Sequence, residues 1–159
     1  MGTRSAIGYK TPEGKIRAKY CHYDGYVAHN GRVLQEHYQE ARKIAQLVEL
    51  GDMSTLSAEI FPTDKTHSFD KPQEGVSVFY GRDRGETNTD AQDFETVQEF
   101  VDYYADSGCE YFYLSTPNGW IYHDRYGVGK DANGYPVFDY LEEKVTAELN
   151  RLRAEGYDI

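Results

Sequence analysis

The chain has 159 residues, with 27 acidic and 17 basic side chains, which give a formal net charge of −10. This length suits one domain with a real core, and the charge argues against nonspecific binding of the whole molecule to nucleic acid or anionic membranes. No apolar run approaches the length of a membrane span, and no signal peptide precedes the first strand. We therefore expect a single domain over residues 1–159 that binds neither membrane nor nucleic acid directly, with Cys21 and Cys109 reduced in a cytoplasm.

The first predicted element is a β-hairpin. Residues 4–10 and 15–23 flank a turn at residues 11–14, where Pro12 and Gly14 supply the turn angles. Side chains in a strand alternate between the two faces. One face is expected to hold Ile7, Tyr9, Ile16, Ala18, Tyr20 and His22, and the other to be a solvent-facing basic surface of Arg4, Lys10, Lys15, Arg17 and Lys19.

A helix is predicted next, from Gly31 to Leu50, and Gly51 ends it. A short strand is expected over residues 56–61, followed by a polar loop over residues 62–75 that contains two prolines. Residues 76–80 are rich in β-branched and aromatic side chains and predict another strand.

Residues 85–110 are the most distinctive stretch, because they contain eight carboxylates and no lysine or arginine. Apolar residues at helical spacing predict a helix that Thr89 or Asp90 caps and that ends at Ser107-Gly108. Four acids fall at spacings of four, three and four on the opposite face of this helix: Glu95, Glu99, Asp102 and Asp106. Like charges at these spacings destabilise an isolated helix by roughly 0.2–0.5 kcal/mol per pair, so the acidic face is not optimised for stability.

Such a row of acids has two interpretations. Successive carboxylates one turn apart are separated by roughly 5–6 Å along the helix axis, a length scale similar to that of phosphates along a nucleic-acid strand. The face would then bind a basic protein surface, as a DNA mimic does. The alternative is a solvated surface that only keeps the protein soluble.

The C-terminal third predicts a second hairpin and a last helix. Residues 111–115 and 120–123 flank the turn at 116–119, and Pro136 is expected in the first turn of the helix. The predicted order is ββαββαββα. We expect an α+β fold with a mostly antiparallel sheet and about three helices on one face.

A second candidate site is an anion-binding loop. Arg82 and Arg84 lie between two glycines, before the predicted N-terminus of the acidic helix, and His22 and Asp24 belong to a separate cluster of reactive residue types at the end of the second strand. Guanidinium groups at a helix N-terminus could hold a phosphate or nucleotide. The alternative is a charged turn in which the arginines pair with Asp83, Glu86 or Asp90. No spacing typical of a metal, cofactor or catalytic motif is present, so we expect no metal, no cofactor and no catalytic residue.

Three segments carry a resemblance to a known family: residues 1–9 (MGTRSAIGY), 20–26 (YCHYDGY) and 80–86 (YGRDRGE). They resemble a family of small accessory proteins carried by tailed bacteriophages, over roughly the first ninety residues. That family has no settled activity, so the resemblance implies no catalytic residues. It implies a phage (viral) origin, a place in the host bacterial cytoplasm, and a role of binding and blocking a host enzyme or defence system.

The sequence therefore favours a non-enzymatic phage protein, a possible DNA mimic, that inhibits a basic host protein through Glu95, Glu99, Asp102 and Asp106, aided by exposed tyrosines. One alternative is a nucleotide-binding protein or enzyme that uses Arg82, Arg84, His22 and Asp24. Another is a minor virion component. The oligomeric state is not predicted.

Overall fold

Two hairpins joined by a parallel pairing form the centre of the sheet. The computed structural model describes residues 2–127 and 129–159. Its first hairpin pairs strands 5–10 and 16–21, its second pairs strands 111–116 and 119–124, and the first strands of the two hairpins lie parallel to each other, with Ser5 opposite Tyr111. Over the described ranges seven strands follow one another across the sheet, and an eighth, at residues 92–94, also pairs with the strand at 16–21. The fold is therefore a mixed α/β arrangement built on one open sheet.

The described residues contain eight strands and five α-helices. The strands are β1 (Ser5–Lys10), β2 (Ile16–Cys21), β3 (Met53–Thr55), β4 (Val78–Phe79), β5 (Gln92–Phe94), β6 (Tyr111–Thr116), β7 (Gly119–Asp124) and β8 (Asp139–Tyr140). The strand order across the sheet is β4-β3-β2-β1-β6-β7-β8, with β5 also paired to β2. The helices are α1 (Arg32–His37), which a π-helical turn (Val27–Gly31) precedes, α2 (Ala41–Glu49), α3 (Tyr80–Arg84), α4 (Val97–Asp106) and α5 (Leu141–Ala154). No helix in these ranges has both the length and the apolar character needed to cross a bilayer.

Helices cover both faces of the sheet, so the prediction of helices on one face is wrong. Ile7 and Tyr113 belong to the apolar cluster beneath α1, α2 and α5, whereas their neighbours Ala6 and Phe112 belong to the cluster beneath α4. Successive strand residues point to opposite faces, and all four of these residues are fully buried. The continuous apolar runs of β1 and β6 are those of strands covered on both sides.

The predicted order ββαββαββα with three helices is also wrong in detail, because the helix expected over residues 31–50 is interrupted. α1 ends at His37 and α2 begins at Ala41. At the break, the Tyr38 hydroxyl donates to the Ser57 carbonyl at 2.7 Å, and the Tyr38 carbonyl accepts a 2.8 Å hydrogen bond from the Trp120 indole. These tertiary hydrogen bonds hold Tyr38 outside helical geometry.

Two further element predictions are wrong. The strand expected over residues 56–61 lies earlier, at Met53–Thr55, and the later segment contributes only an isolated bridge from Glu59 to Val76. The last helix begins at Leu141 and excludes Pro136, because Asp139–Tyr140 are extended and pair with β7.

The first hairpin forms as predicted, but the expected basic face does not. Antiparallel register places Ile7 opposite Lys19 and Tyr9 opposite Arg17, so apolar and basic residues share one face. α2 covers this face, and Lys19 is fully buried. The alternation of side chains along each strand was correctly identified. Both faces of β2 are covered, however, so neither of them is a solvent-facing basic surface.

Candidate partner-binding surface

The acidic helix is shorter than predicted and begins at Val97. Gln92–Phe94 are extended, because they pair with β2 and place Phe94 opposite Ile16. The cap is Thr96, whose Oγ1 accepts a 3.1 Å hydrogen bond from the Glu99 N–H. The predicted caps, Thr89 and Asp90, lie before β5 and are therefore wrong. The buried face of α4 is Phe100, Val101 and Tyr104.

Three of the four predicted acids lie on the exposed side of α4. Glu99, Asp102 and Asp106 follow one another at spacings of three and four residues, and all are exposed. Glu95 is also exposed but precedes the helix. We call these four residues the acidic face.

The contacts of the acidic face are mostly with uncharged groups. Glu99 Oε2 accepts a 3.0 Å hydrogen bond from the Glu95 N–H, and the Asp102 carboxylate accepts from the Gln98 amide at 3.0 and 3.1 Å. Only Glu95 has a basic partner in the described ranges, since its Oε1 lies 3.2 Å from Lys15 Nζ. Both side chains of that pair are at least half exposed, so the pair contributes little to stability.

Basic residues lie at both ends of the acidic face but are bound to other groups. At one end, Arg17 lies 3.0 Å from Asp93 and also pairs with Glu49. At the other end, Arg125 Nη1 donates to the Ala105 carbonyl at 3.0 Å, and Arg4 Nη1 donates to the Ser107 carbonyl at 3.5 Å. Arg125 and Arg4 thus satisfy main-chain acceptors that the C-terminal end of α4 leaves open.

An exposed tyrosine lies beside the acidic face. Tyr103 is 44% exposed, its ring centroid is 5.4 Å from that of Phe94, and its hydroxyl accepts a 2.8 Å hydrogen bond from Gln92. A tyrosine held in this way offers contact area at a low entropy cost, which is typical of protein-binding surfaces.

The arginines of the second candidate site do not lie at the N-terminus of the acidic helix, because β5 separates them from it. They lie on α3, and Arg82 donates to the Ile60 carbonyl at 2.6 Å, the Ser77 carbonyl at 3.0 Å and Asp83 at 2.9 Å. These are the contacts of a structural residue that ties a loop to β4. Its guanidinium also lies 4.7 Å from the ring centroid of Phe79.

Arg84 is likewise occupied. It donates to Glu86 at 2.7 Å, and its guanidinium carbon lies 4.1 Å from the ring centroid of Phe69 in the 62–75 loop. These contacts with neighbouring acids are those of the charged turn that the sequence left open as the alternative.

His22 and Asp24 lie at the corner that follows β2. His22 Nδ1 lies 2.7 Å from the Tyr20 hydroxyl. Partial burial is the main cause that lowers the pKa of His22, and the positive charge of Arg4 lowers it further. Asp24 has a left-handed backbone with φ of 58°. No hydrogen bond or ion pair in the described ranges connects either residue to the α3 arginines.

His123 is a residue whose environment the sequence did not reveal. It is 2% exposed, and its neighbour Asp124 turns away to accept hydrogen bonds from the main-chain N–H groups of Tyr126 and Gly127. His123 instead borders a cleft beside α4. Only the tertiary structure shows what lies opposite it. Among the described residues, no three His, Cys, Asp or Glu side chains are arranged to hold a metal ion.

Comparison of the chain with protein-family models, curated proteins and solved structures finds no match in any of the three. The site is therefore interpreted from its own geometry.

Proposed function

We propose that this is a non-enzymatic binding protein whose acidic face docks on a basic surface of a partner protein. One observation carries the proposal: Glu99, Asp102 and Asp106 are exposed at one-turn spacing on a rigid helix and have no lysine or arginine partner within the described residues. Their mutual repulsion lowers stability, and a cationic partner would remove that cost on binding.

The last helix provides an internal contrast. On α5, Glu148 lies 3.2 Å from Lys144 and 3.0 Å from Arg151, and Arg151 also pairs with Glu155 at 2.9 Å. The later turns of α5 therefore interleave acids and bases. α4 has no such interleaving, which supports a role for its charge outside the folded chain.

The proposed partner is a host bacterial protein with a nucleic-acid-binding surface, inhibited by competition. The spacing of the acids supports this partner class, since carboxylates at roughly 5–6 Å intervals can occupy successive phosphate positions. The resemblance to phage accessory proteins supports the host context. The exposed Tyr103 would add aromatic contact at the centre of the interface.

The test is competition in solution. A partner recovered from bacterial lysate is purified, and the protein is titrated against its complex with fluorescent duplex DNA. We expect displacement of the DNA by the natural protein, weakening as salt is raised, because exposed charges are screened over about 10 Å at 0.1 M.

The decisive variant is the double reversal Glu99→Lys, Asp102→Lys, which should abolish displacement. Its matched control is Glu142→Lys, Glu143→Lys, an equal charge change at two exposed acids of α5. If both variants lose displacement of DNA equally, the effect comes from net charge alone. If the α4 variant displaces DNA as well as the natural protein does, the acidic face is not the binding surface.

A further inference from the structure

A buried histidine, His123, lines the cleft beside α4, and one of its ring nitrogens has no hydrogen-bond partner among the described residues. His123 Nδ1 lies 2.9 Å from the Val137 carbonyl, and a carbonyl can only accept, so the proton is on Nδ1. Nε2 therefore carries a lone pair, and it has no hydrogen-bond partner among the described residues. The ring lies between Phe112 and Phe138, with centroid separations of 5.5 and 5.6 Å, which fix its orientation.

Side chains of both charges line the same cleft, which has a volume of about 500 Å³. Asp102 and Asp106 lie on the α4 side, and Arg125 and Lys130 come from the segment after β7. No ion pair within 4.0 Å joins either acid to either base in the described ranges. The cleft thus keeps opposite charges apart, whereas α5 brings such charges together.

The lining also includes a small apolar part. Val101 and Ala105 of α4 also line the cleft. A ligand that fits must then supply N–H donors to carboxylates and to the imidazole lone pair, an anionic group to the two bases, and a modest apolar side chain. A free α-amino acid has all three groups on one carbon.

We infer that this cleft binds a free α-amino acid, with its ammonium group toward Asp106 and His123 Nε2 and its carboxylate toward Lys130 and Arg125. The cleft shares Asp102 and Asp106 with the acidic face, whereas His123, Arg125 and Lys130 lie outside that face. This binding goes beyond the proposed docking function and does not depend on it. Burial lowers the pKa of His123, which keeps the imidazole neutral and able to accept.

The experiment is an NMR titration of the intact protein, labelled with ¹⁵N at histidine. The probes are L-valine, N-acetyl-L-valine, which lacks the ammonium group, and L-valinamide, which lacks the carboxylate. We expect L-valine to shift the His123 Nε2 resonance saturably. Each capped analogue should bind about tenfold more weakly, as the loss of one charge-assisted hydrogen bond implies.

Two single variants localise the effect. Asp106→Asn and Lys130→Gln are exposed changes that keep side-chain size, so the amide spectrum should show an intact fold, and each should weaken L-valine binding about tenfold. Glu142→Gln, which changes an exposed acid of α5 outside both the cleft and the acidic face, should leave binding unchanged.

Three results would overturn the inference. If L-valinamide binds as tightly as L-valine, the cleft recognises only the ammonium group and is a cation site. If N-acetyl-L-valine binds as tightly as L-valine, the cleft recognises only the carboxylate and is an anion site. The absence of a saturable shift, or the same loss in Glu142→Gln as in Asp106→Asn, would show that the cleft holds no such ligand. None of these results bears on DNA displacement, so the two proposals fail separately.

Discussion

Lys19 of β2 donates a 2.6 Å hydrogen bond from its ammonium group to the main-chain carbonyl of Leu47, near the C-terminal end of α2. Lys19 is fully buried, and its Nζ lies 4.5 Å from the ring centroid of Phe79. The last carbonyls of a helix lack partners within the helix and carry partial negative charge. A buried cation thus stabilises a helix end from the neighbouring strand, but its own desolvation is costly.

Stability should therefore depend on pH through Lys19. Burial lowers the pKa of Lys19 from 10.5 to about 7, against the opposing charge of Asp52. Between these two values the unfolded chain binds more protons than the folded protein, so the free energy of unfolding attributable to Lys19 rises with pH. The slope should approach about 1 kcal/mol per pH unit, as measured by urea unfolding between about pH 7 and pH 9.

A matched variant is needed because other buried groups act in the opposite direction. Burial raises the pKa of Cys21 from 9.0 to about 11. Ionisation of this thiol in the unfolded chain therefore lowers the free energy of unfolding as pH rises above 9. Lys19→Met keeps the apolar stem and removes the titrating group. The free energy of unfolding of the natural protein minus that of Lys19→Met should increase with pH. If the two free energies change in parallel, Lys19 does not titrate in this range.

Gly51 should not tolerate a side chain. Its φ is +81°, and a Cβ there would lie 2.1 Å from the Thr89 carbonyl oxygen. Gly14 has nearly the same φ, +82°, with nothing within 4 Å of its Cβ position. Both alanine variants bear the left-handed backbone cost, and Gly51→Ala should lose roughly 1–3 kcal/mol more through the clash. Equal losses in thermal unfolding would indicate that the 51–52 turn relaxes freely.

Thr96 should contribute to α4 through its cap. Thr96→Ala removes the acceptor of the Glu99 N–H and should destabilise the protein by about 1 kcal/mol, measured by urea unfolding. Thr96→Ser keeps the hydroxyl and should retain most of that stability. If serine and alanine prove equally destabilising, the contribution of Thr96 comes from its methyl group and not from the cap.

Asp83 should fasten the 62–75 loop. Its carboxylate accepts from the Phe79 N–H at 2.8 Å and lies 3.3 Å from His67 Nε2, and its carbonyl accepts from the Phe69 N–H. His67 and Asp83 side chains are 2% and 4% exposed, so the loop is closed over this contact.

Asp83→Ala should therefore release the loop and accelerate tryptic cleavage after Lys65 several-fold, since cleavage follows the population of locally open states. Asp70→Ala, an exposed change within the same loop, is the control. Mass spectrometry of the first fragments gives the readout. Unchanged cleavage sites and rates in Asp83→Ala would place the fastening elsewhere.

Local signals in the sequence predicted much of the secondary structure. The turn at Thr11–Gly14 and the turn between β6 and β7 follow from Pro, Asn and Gly at specific positions, and both hairpins are confirmed. The apolar stripe of α4 was identified because Val101 and Tyr104 fall at helical spacing. The mixed character of the fold is likewise confirmed.

The arrangement of these elements could not be predicted, because it depends on partners far apart in sequence. The helix start was misplaced because Gln92–Phe94 pair with β2, a contact that no local pattern reveals. The same pairing brings Glu95 within reach of Lys15. The exposure of Glu99 and Asp102 followed from helical periodicity, whereas the cleft at His123 depends on α4 and β7 meeting across a sheet face.

The parallel pairing of β1 with β6 also has a consequence for synthesis. Ser5 faces Tyr111, so the first strand made must wait for more than one hundred further residues before its neighbour leaves the ribosome. Until then the nascent chain exposes Ala6 and Ile7 with one edge unpaired, a state prone to wrong association. Such long-range closure predicts slow folding, and it gives a chaperone a defined interval in which to hold the unfinished chain.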